Sequence, residues 1–229
     1  MRVDGRGLCK QNRRSAKAGV REWRSVGRFR GRLIAIKEFF WQHDDVRTRK
    51  GVRMRAFVGL ELPEGFADDV ARMARALGAR LEGRFMRRET YHVTLAFLGE
   101  IDEAASGRAI DALDAACVGL GPVPLRCEGL GKFGRARDAT LNVRLAEEPE
   151  LMALAARLRD ELGARGVAFD GKAFRPHVTI ARRASLPAGE LPQLVFPADD
   201  EARFVTLFKS ILDSSGATYK PLYTIDLGE

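Results

Sequence analysis

The chain has 229 residues, 45% of them hydrophobic, and 39 Lys and Arg against 31 Asp and Glu, for a formal net charge of +8. That length holds one large domain or two small lobes around a sizeable core. No run approaches the roughly 18 apolar residues of a membrane helix, and no short apolar segment has the flanks of a secretory signal, so a soluble cytoplasmic protein without a membrane partner is expected.

The charge is concentrated. Residues 1–53 carry 16 Lys and Arg against 5 Asp and Glu, a net of +11, which leaves 23 against 26, a net of −3, for residues 54–229. The basic pI therefore argues for a polyanion partner only through the first 53 residues. That segment is rich in Arg and Gly and has no sustained period, so it reads as a disordered extension separate from a domain at 54–229. Three readings fit it: a basic arm for RNA phosphates, an Arg-rich targeting peptide, or an untranslated stretch upstream of a true start at Met54. The first good strand begins at Met54, which favours the last. Cys9, Cys117 and Cys127 form neither a CxxC pair nor an even framework, so no disulfide scaffold or thiolate zinc site is indicated. Lone cysteines of this kind are usually small buried hydrophobes.

In chain order, Met54 to Leu62 alternates as a half-buried strand, and apolar positions from Phe66 to Leu81 recur at helical spacing. Phe85 and Met86 lead into a strand from Tyr91 to Leu98, closed by Gly99. A second helix is predicted over Asp102 to Cys117. Strands follow at Val123 to Gly129 and Ala139 to Leu145, joined by a basic, Gly-containing loop from Gly131 to Arg137. A third helix covers Glu150 to Gly163. A short strand or loop, Val167 to Phe174, precedes a strand from His177 to Ala181, and strands at Ala202 to Leu212 and Leu222 to Leu227 complete the chain.

Two of the three histidines share one motif, HVTL at His92 and HVTI at His177, 85 positions apart. The surroundings repeat too: MRAFVGLELP, a helix and HVTLAF match LNVRLAEEP, a helix and HVTIAR when Pro63 is set against Pro149. A unit of about 85 residues is too long for a solenoid and suggests two similar lobes that bring the motifs face to face across a cleft. Along a strand, His and Thr at i and i+2 share one face, while Val93, Leu95, Val178 and Ile180 point to the other. Two imidazoles and two hydroxyls converging on a cleft can serve a phosphodiester. Near its unperturbed pKa of about 6.5, one imidazole is a base while the other is an acid. The hydroxyls can donate to non-bridging phosphate oxygens. No metal or other cofactor is needed. A single His-x-Thr is most often structural; it is the duplication that points to chemistry. Two histidines lack the further ligand a zinc site needs, and neither HExxH nor GxSxG is present.

The paired motifs, the opening MRAFVGLELP, the extension HVTLAFLGE and the phrase FRPHVTIAR resemble the 2H phosphoesterase superfamily, in particular its bacterial and archaeal RNA 2′,3′-cyclic phosphodiesterases, first named as 2′-5′ RNA ligases. The resemblance runs from Met54 to about Leu227 and extends to Ser210, Gly216 and Tyr219. It implies an α+β, LigT-like fold of two pseudo-symmetric lobes, each a mainly antiparallel sheet with helices outside, and the active-site cleft between them. It also implies opening of an RNA 2′,3′-cyclic phosphate to a 2′-phosphate. By position, His92 would be the proton donor to the departing 3′ oxygen, His177 the base that activates water, and Thr94 and Thr179 the phosphate-binding pair, although pseudo-symmetry makes the two histidine roles interchangeable. Arg182 and Arg175, which flank the second motif strand, are candidate phosphate contacts. Phe133, among Lys132, Arg135 and Arg137, is a candidate stacking surface for a terminal base. Phe85 and Met86 stand where the family has a tryptophan and a small apolar residue. The expected partner is RNA or a nucleotide with a cyclic phosphate, bound by a monomer. Two alternatives share the cleft: 2′-5′ end joining, and a non-catalytic nucleotide-binding or RNA-binding module.

Overall fold

The structure, a computed structural model, describes residues 53–186, 191–214 and 216–228. The expectations for the basic extension concern a segment that, through residue 52, lies outside this range. Among the described residues, no helix is long and apolar enough to cross a membrane.

The first strand, β1 (Met54–Glu61), is followed by α1 (Glu64–Gly78), β2 (Glu82–Phe85), a 3-10 turn (Arg88–Thr90) and β3 (His92–Ile101). Then come α2 (Glu103–Cys117), β4 (Val123–Leu125), β5 (Cys127–Arg135), β6 (Asp138–Leu145) and α3 (Pro149–Ala164). The chain ends with β7 (His177–Ser185), β8 (Asp200–Ala202), β9 (Phe204–Asp213) and β10 (Gly216–Asp226). One antiparallel sheet runs β10-β9-β1-β3-β7-β6-β5, with β2 also pairing with β7, and β4 with β8 form a separate ribbon. The architecture is α+β, as expected.

Helix α1 forms because Phe66, Val70, Met73, Ala74 and Leu77 fall on one stripe, and all five are buried. Asp102 caps α2, its carboxylate accepting from the Ala105 N–H at 2.8 Å. In α3 the stripe Leu151, Leu154, Ala155, Leu158 and Leu162 is buried to the same degree. These stripes join the inward residues of the sheet, among them Val58, Leu60, Val93, Leu95, Val143, Val178 and Ile180, each 0% exposed, in one core. Each such side chain contributes about 1.5–3 kcal/mol of burial.

The predicted strands Val123 to Gly129 and Ala202 to Leu212 are each divided, between β4 and β5 and between β8 and β9, and other sequence-level expectations change as well. The stretch Gly131 to Arg137 is not a loop: Gly131 to Arg135 belong to β5, which pairs with β6 as far as Arg135 opposite Asp138, so the turn is only Ala136 and Arg137. Its polar composition suits an exposed edge strand, which β5 is. Gly99 does not close β3; at φ 69° it accompanies a register shift against β1, and pairing continues to Ile101. The last strand begins at Gly216 rather than Leu222, with Pro221 tolerated on the sheet's outermost strand beside a register shift.

The repeat is present as two half-sheets, β9-β1-β3 and β5-β6-β7, joined where Val93 pairs with Val178. Their correspondence is not the one set by the prolines. Leu60 lies opposite Val93 and Val143 opposite Val178, so Leu60 corresponds to Val143, Gly59 to Asn142 and Glu61 to Arg144. The second copy reaches its helix by a longer link, which displaces the proline match from the strand match.

Candidate active site

The strand pair that joins the half-sheets carries both motifs. Val93 and Val178 turn into the core while His92, Thr94, His177 and Thr179 remain half-buried on the opposite face. Because the strands are antiparallel about the Val93–Val178 pair, each histidine lies beside the other strand's threonine. The four predicted residues therefore share one patch.

Both imidazoles are held in the same way. His92 Nδ1 lies 2.8 Å from the carbonyl oxygen of Thr90, and His177 Nδ1 lies 2.6 Å from that of Arg175. A carbonyl only accepts, so in each case Nδ1 carries the hydrogen and the neutral ring presents a bare Nε2. His92 Nε2 lies 3.0 Å from Thr94 Oγ1, which in that tautomer donates to it. Two equivalent carbonyls, each two residues before its histidine, thus prepare two bases for the same face.

The two rings differ in what surrounds them. His92 stacks on Phe57 at 4.6 Å and meets the edge of Tyr219 at 5.2 Å, with Phe208 at 6.3 Å. Among the described residues His177 has one aromatic neighbour, Phe133, in edge contact at 4.9 Å. Desolvation lowers the His92 pKa to about 4, against the opposing Thr90 hydrogen bond, with His177 and Arg182 lowering it further. Burial also lowers the His177 pKa, with Arg182 contributing and the Arg175 hydrogen bond opposing. This difference bears on stability. The unfolded His92 takes a proton below about pH 6.5 while the folded ring resists until about 4, so stability falls as pH drops through that window. The loss is at most about 3 kcal/mol, less the screening at the exposed edge of the ring. Denaturant titrations from pH 7 to 4 are expected to show this slope, reduced in His92→Phe.

Of the further candidates, Arg182 faces both histidines closely enough to shift them, and it lies at a bulge where β7 carries Arg182 and Arg183, the latter at φ 52°. Phe133 reaches the site through His177. Arg175 contributes its carbonyl, while its side chain is exposed. Phe85 and Met86 line a groove of about 360 Å³ against α1, with Ala71, Ala74, Gly78 and Tyr91. This groove does not include the motif residues. Burial pushes the Cys117 thiol up to about 12 and raises Cys127, so neither supplies a ready thiolate. Among the described residues, no group of three or more His, Cys, Asp and Glu is placed to hold a metal ion.

Sequence reasoning missed Phe57 and Phe208, whose approach to His92 depends on β1 pairing with both β3 and β9. It also missed Asn142 and Arg144, which pair with Thr179 and His177. Asn142 breaks the apolar run LNV, and a polar residue inside such a run is a readable signal.

Comparison with known proteins shows the family and the fold. A profile of the 2′-5′ RNA ligase superfamily matches residues 62–205, a span holding both motifs. An RNA 2′,3′-cyclic phosphodiesterase of Thermotoga maritima is 30% identical over 177 residues, 74% of this chain and 94% of that protein. Another, from Aquifex aeolicus, is 28% identical over 181 residues, 75% of this chain and 94% of that one. Among solved structures, TT0787 of Thermus thermophilus superposes with a TM-score of 0.66 at 27% identity, covering 77% of this chain and 100% of that one. LigT of E. coli in apo form superposes at 0.64 with 25% identity, covering 77% and 99%. With both His-x-Thr strands inside the matched region and the fold shared over the length of these relatives, the chain belongs to the 2′-5′ RNA ligase superfamily of 2H phosphoesterases.

Proposed function

We propose that this protein hydrolyses 2′,3′-cyclic phosphate ends of RNA to 2′-phosphomonoesters without a metal ion. The observation that carries the reading is the pair of imidazoles on adjacent antiparallel strands, each with Nδ1 tied to a carbonyl and Nε2 on the shared face. The activity for which the relatives are named supports the substrate class, and E. coli LigT has been solved with 3′-AMP.

In the proposed reaction His177 Nε2 takes a proton from water, whose oxygen attacks phosphorus. The P–O3′ bond breaks, and His92 Nε2 delivers a proton to the departing 3′ oxygen. Thr94 and Thr179 donate to the non-bridging oxygens, where charge is held during displacement. In the free protein desolvation keeps His92 neutral. An anionic phosphate against its Nε2 edge favours the imidazolium, so His92 takes up its proton together with the substrate.

This scheme fixes a pH profile. The free enzyme loses the His92 proton as pH rises through about 4, and it loses the His177 base as pH falls through a pKa below the usual 6.5. The kcat/KM profile is therefore expected to be bell-shaped with its maximum below about pH 6.5, and kcat to peak at higher pH because bound phosphate raises both groups. A kcat/KM flat from pH 4 to 8 would overturn the assignment.

The direct test is product analysis on an oligonucleotide ending in a 2′,3′-cyclic phosphate, with and without a chelator. A 2′-phosphate end formed at the same rate in both is the expected result. A chelator-sensitive reaction refutes the metal-free scheme, a dominant 2′-5′ joined product in the presence of a 5′-hydroxyl strand identifies the reverse reaction, and tight binding without turnover identifies a sensor.

A further inference from the structure

The pseudo-symmetric halves differ in their polar groups. Around His92, Thr94 Oγ1 and His92 Nε2 satisfy each other at 3.0 Å. Around His177, Thr179 Oγ1 and His177 Nε2 have no hydrogen-bond partner among the described residues. Beside them is a third such group. Asn142 is 1% exposed, and its Nδ2 is buried without a partner. Buried polar groups are nearly always bonded, and leaving a donor unpaired costs about 1–3 kcal/mol.

Asn142 belongs to the motif face. Its neighbours Leu141 and Val143 are 1% and 0% exposed in the core, so Asn142 points the other way, and it pairs with Thr179 across β6 and β7. Space has been kept for it. A Cβ at Gly131, its partner on β5, would lie 2.6 Å from Asn142 Oδ1 and 2.7 Å from Arg144 Cγ. The residue that corresponds to Asn142 in the other half is Gly59, where a Cβ would come 3.3 Å from both His92 Cδ2 and the Phe57 ring. One half is filled by aromatic rings and the other by an amide.

We propose that the Asn142 carboxamide is a substrate-contacting group, donating from Nδ2 to the phosphate oxygen that Thr179 also holds. An anion with several acceptor oxygens is the chemistry that satisfies the Thr179 hydroxyl and the Asn142 amide together, and the cations of Arg144, opposite His177, and Arg182 favour it. The assignment rests on reading this patch as a phosphoester site. It places phosphate toward β6 and leaves the Phe57, Phe208 and Tyr219 side for the nucleoside.

The test is Asn142→Leu, which keeps the branched side-chain skeleton without its polar atoms, read by kcat/KM on the cyclic-phosphate oligonucleotide, by calorimetric affinity for inorganic phosphate, and by thermal melting. The expected result is a fall of about 10- to 100-fold in kcat/KM and in phosphate affinity, with a melting temperature unchanged or raised, since an unpaired buried donor has been removed. A structural amide predicts the opposite: a lower melting temperature with phosphate affinity intact. That outcome, or kcat/KM within threefold of wild type, overturns the proposal while leaving the proposed reaction standing. If the wild-type protein does not turn over the oligonucleotide, the proposed reaction fails, and phosphate affinity alone decides the role of Asn142; equal affinity, or none in either protein, overturns it. Should the leucine variant not fold, Asn142→Asp keeps the volume and sets a carboxylate against the anion, with the same loss of phosphate affinity expected and its retention refuting the contact.

Discussion

Alanine at His92 or at His177 is expected to lower kcat for the cyclic-phosphate substrate by about 10²–10⁴-fold, the usual contribution of one positioned acid or base. The folds of the variants should survive. Both side chains are half-buried, and the residues that tie β3 and β7 into the core are their neighbours Val93 and Val178. His92→Ala also leaves a gap against Phe57 and Tyr219, so a modest loss in melting temperature accompanies it, whereas His177→Ala removes only one ring contact. Because the two imidazoles act in one displacement, the double variant should lose little more than the worse single one. Steady-state kinetics on purified, folded variants settle this; more than a tenth of wild-type turnover in either removes that histidine from the reaction.

Thr179→Val is expected to cost about 10²–10³-fold in turnover, the range for one preorganised donor to a developing anion. Valine keeps the branched shape that the strand favours, so the loss reports the hydroxyl alone. The Thr179 hydroxyl has no partner among the described residues and is free to donate to substrate. Thr94 differs, since its hydroxyl already donates to His92 Nε2. Thr94→Val therefore removes a phosphate donor and also releases His92, so its kcat pH profile should shift, whereas that of Thr179→Val should keep its shape. Identical profiles in the two variants would show that the Thr94–His92 hydrogen bond does not matter to turnover.

The parts legible in the sequence were those with a local physical cause. Period-two alternation at His92 to Leu95 and at His177 to Ile180 fixes which side chains share a face, because the pleat itself makes it so. Helical stripes such as Phe66 to Leu77 likewise follow from spacing alone. The duplication of His-x-Thr needs only comparison of the chain with itself. Arg and Gly around Phe133 misled for an equally local reason: the composition that suits a loop also suits an exposed edge strand, and pairing with β6 decides between them.

What tertiary structure decided was register and neighbourhood. That Val93 meets Val178, that Phe57 and Tyr219 close on His92, and that Asn142 lies beside Thr179 all depend on hydrogen-bonded pairing between strands far apart in the chain. A shift of one residue in that pairing moves every side chain to the other face. Proline matching, read along the chain, aligned the repeat by its turns; the sheet aligned it by its bridges, and only that second alignment sets Asn142 against Gly59. The sequence determines that two equivalent histidines exist, and the packing around each determines that they are not chemically equivalent, because desolvation depends on neighbours contributed by other strands.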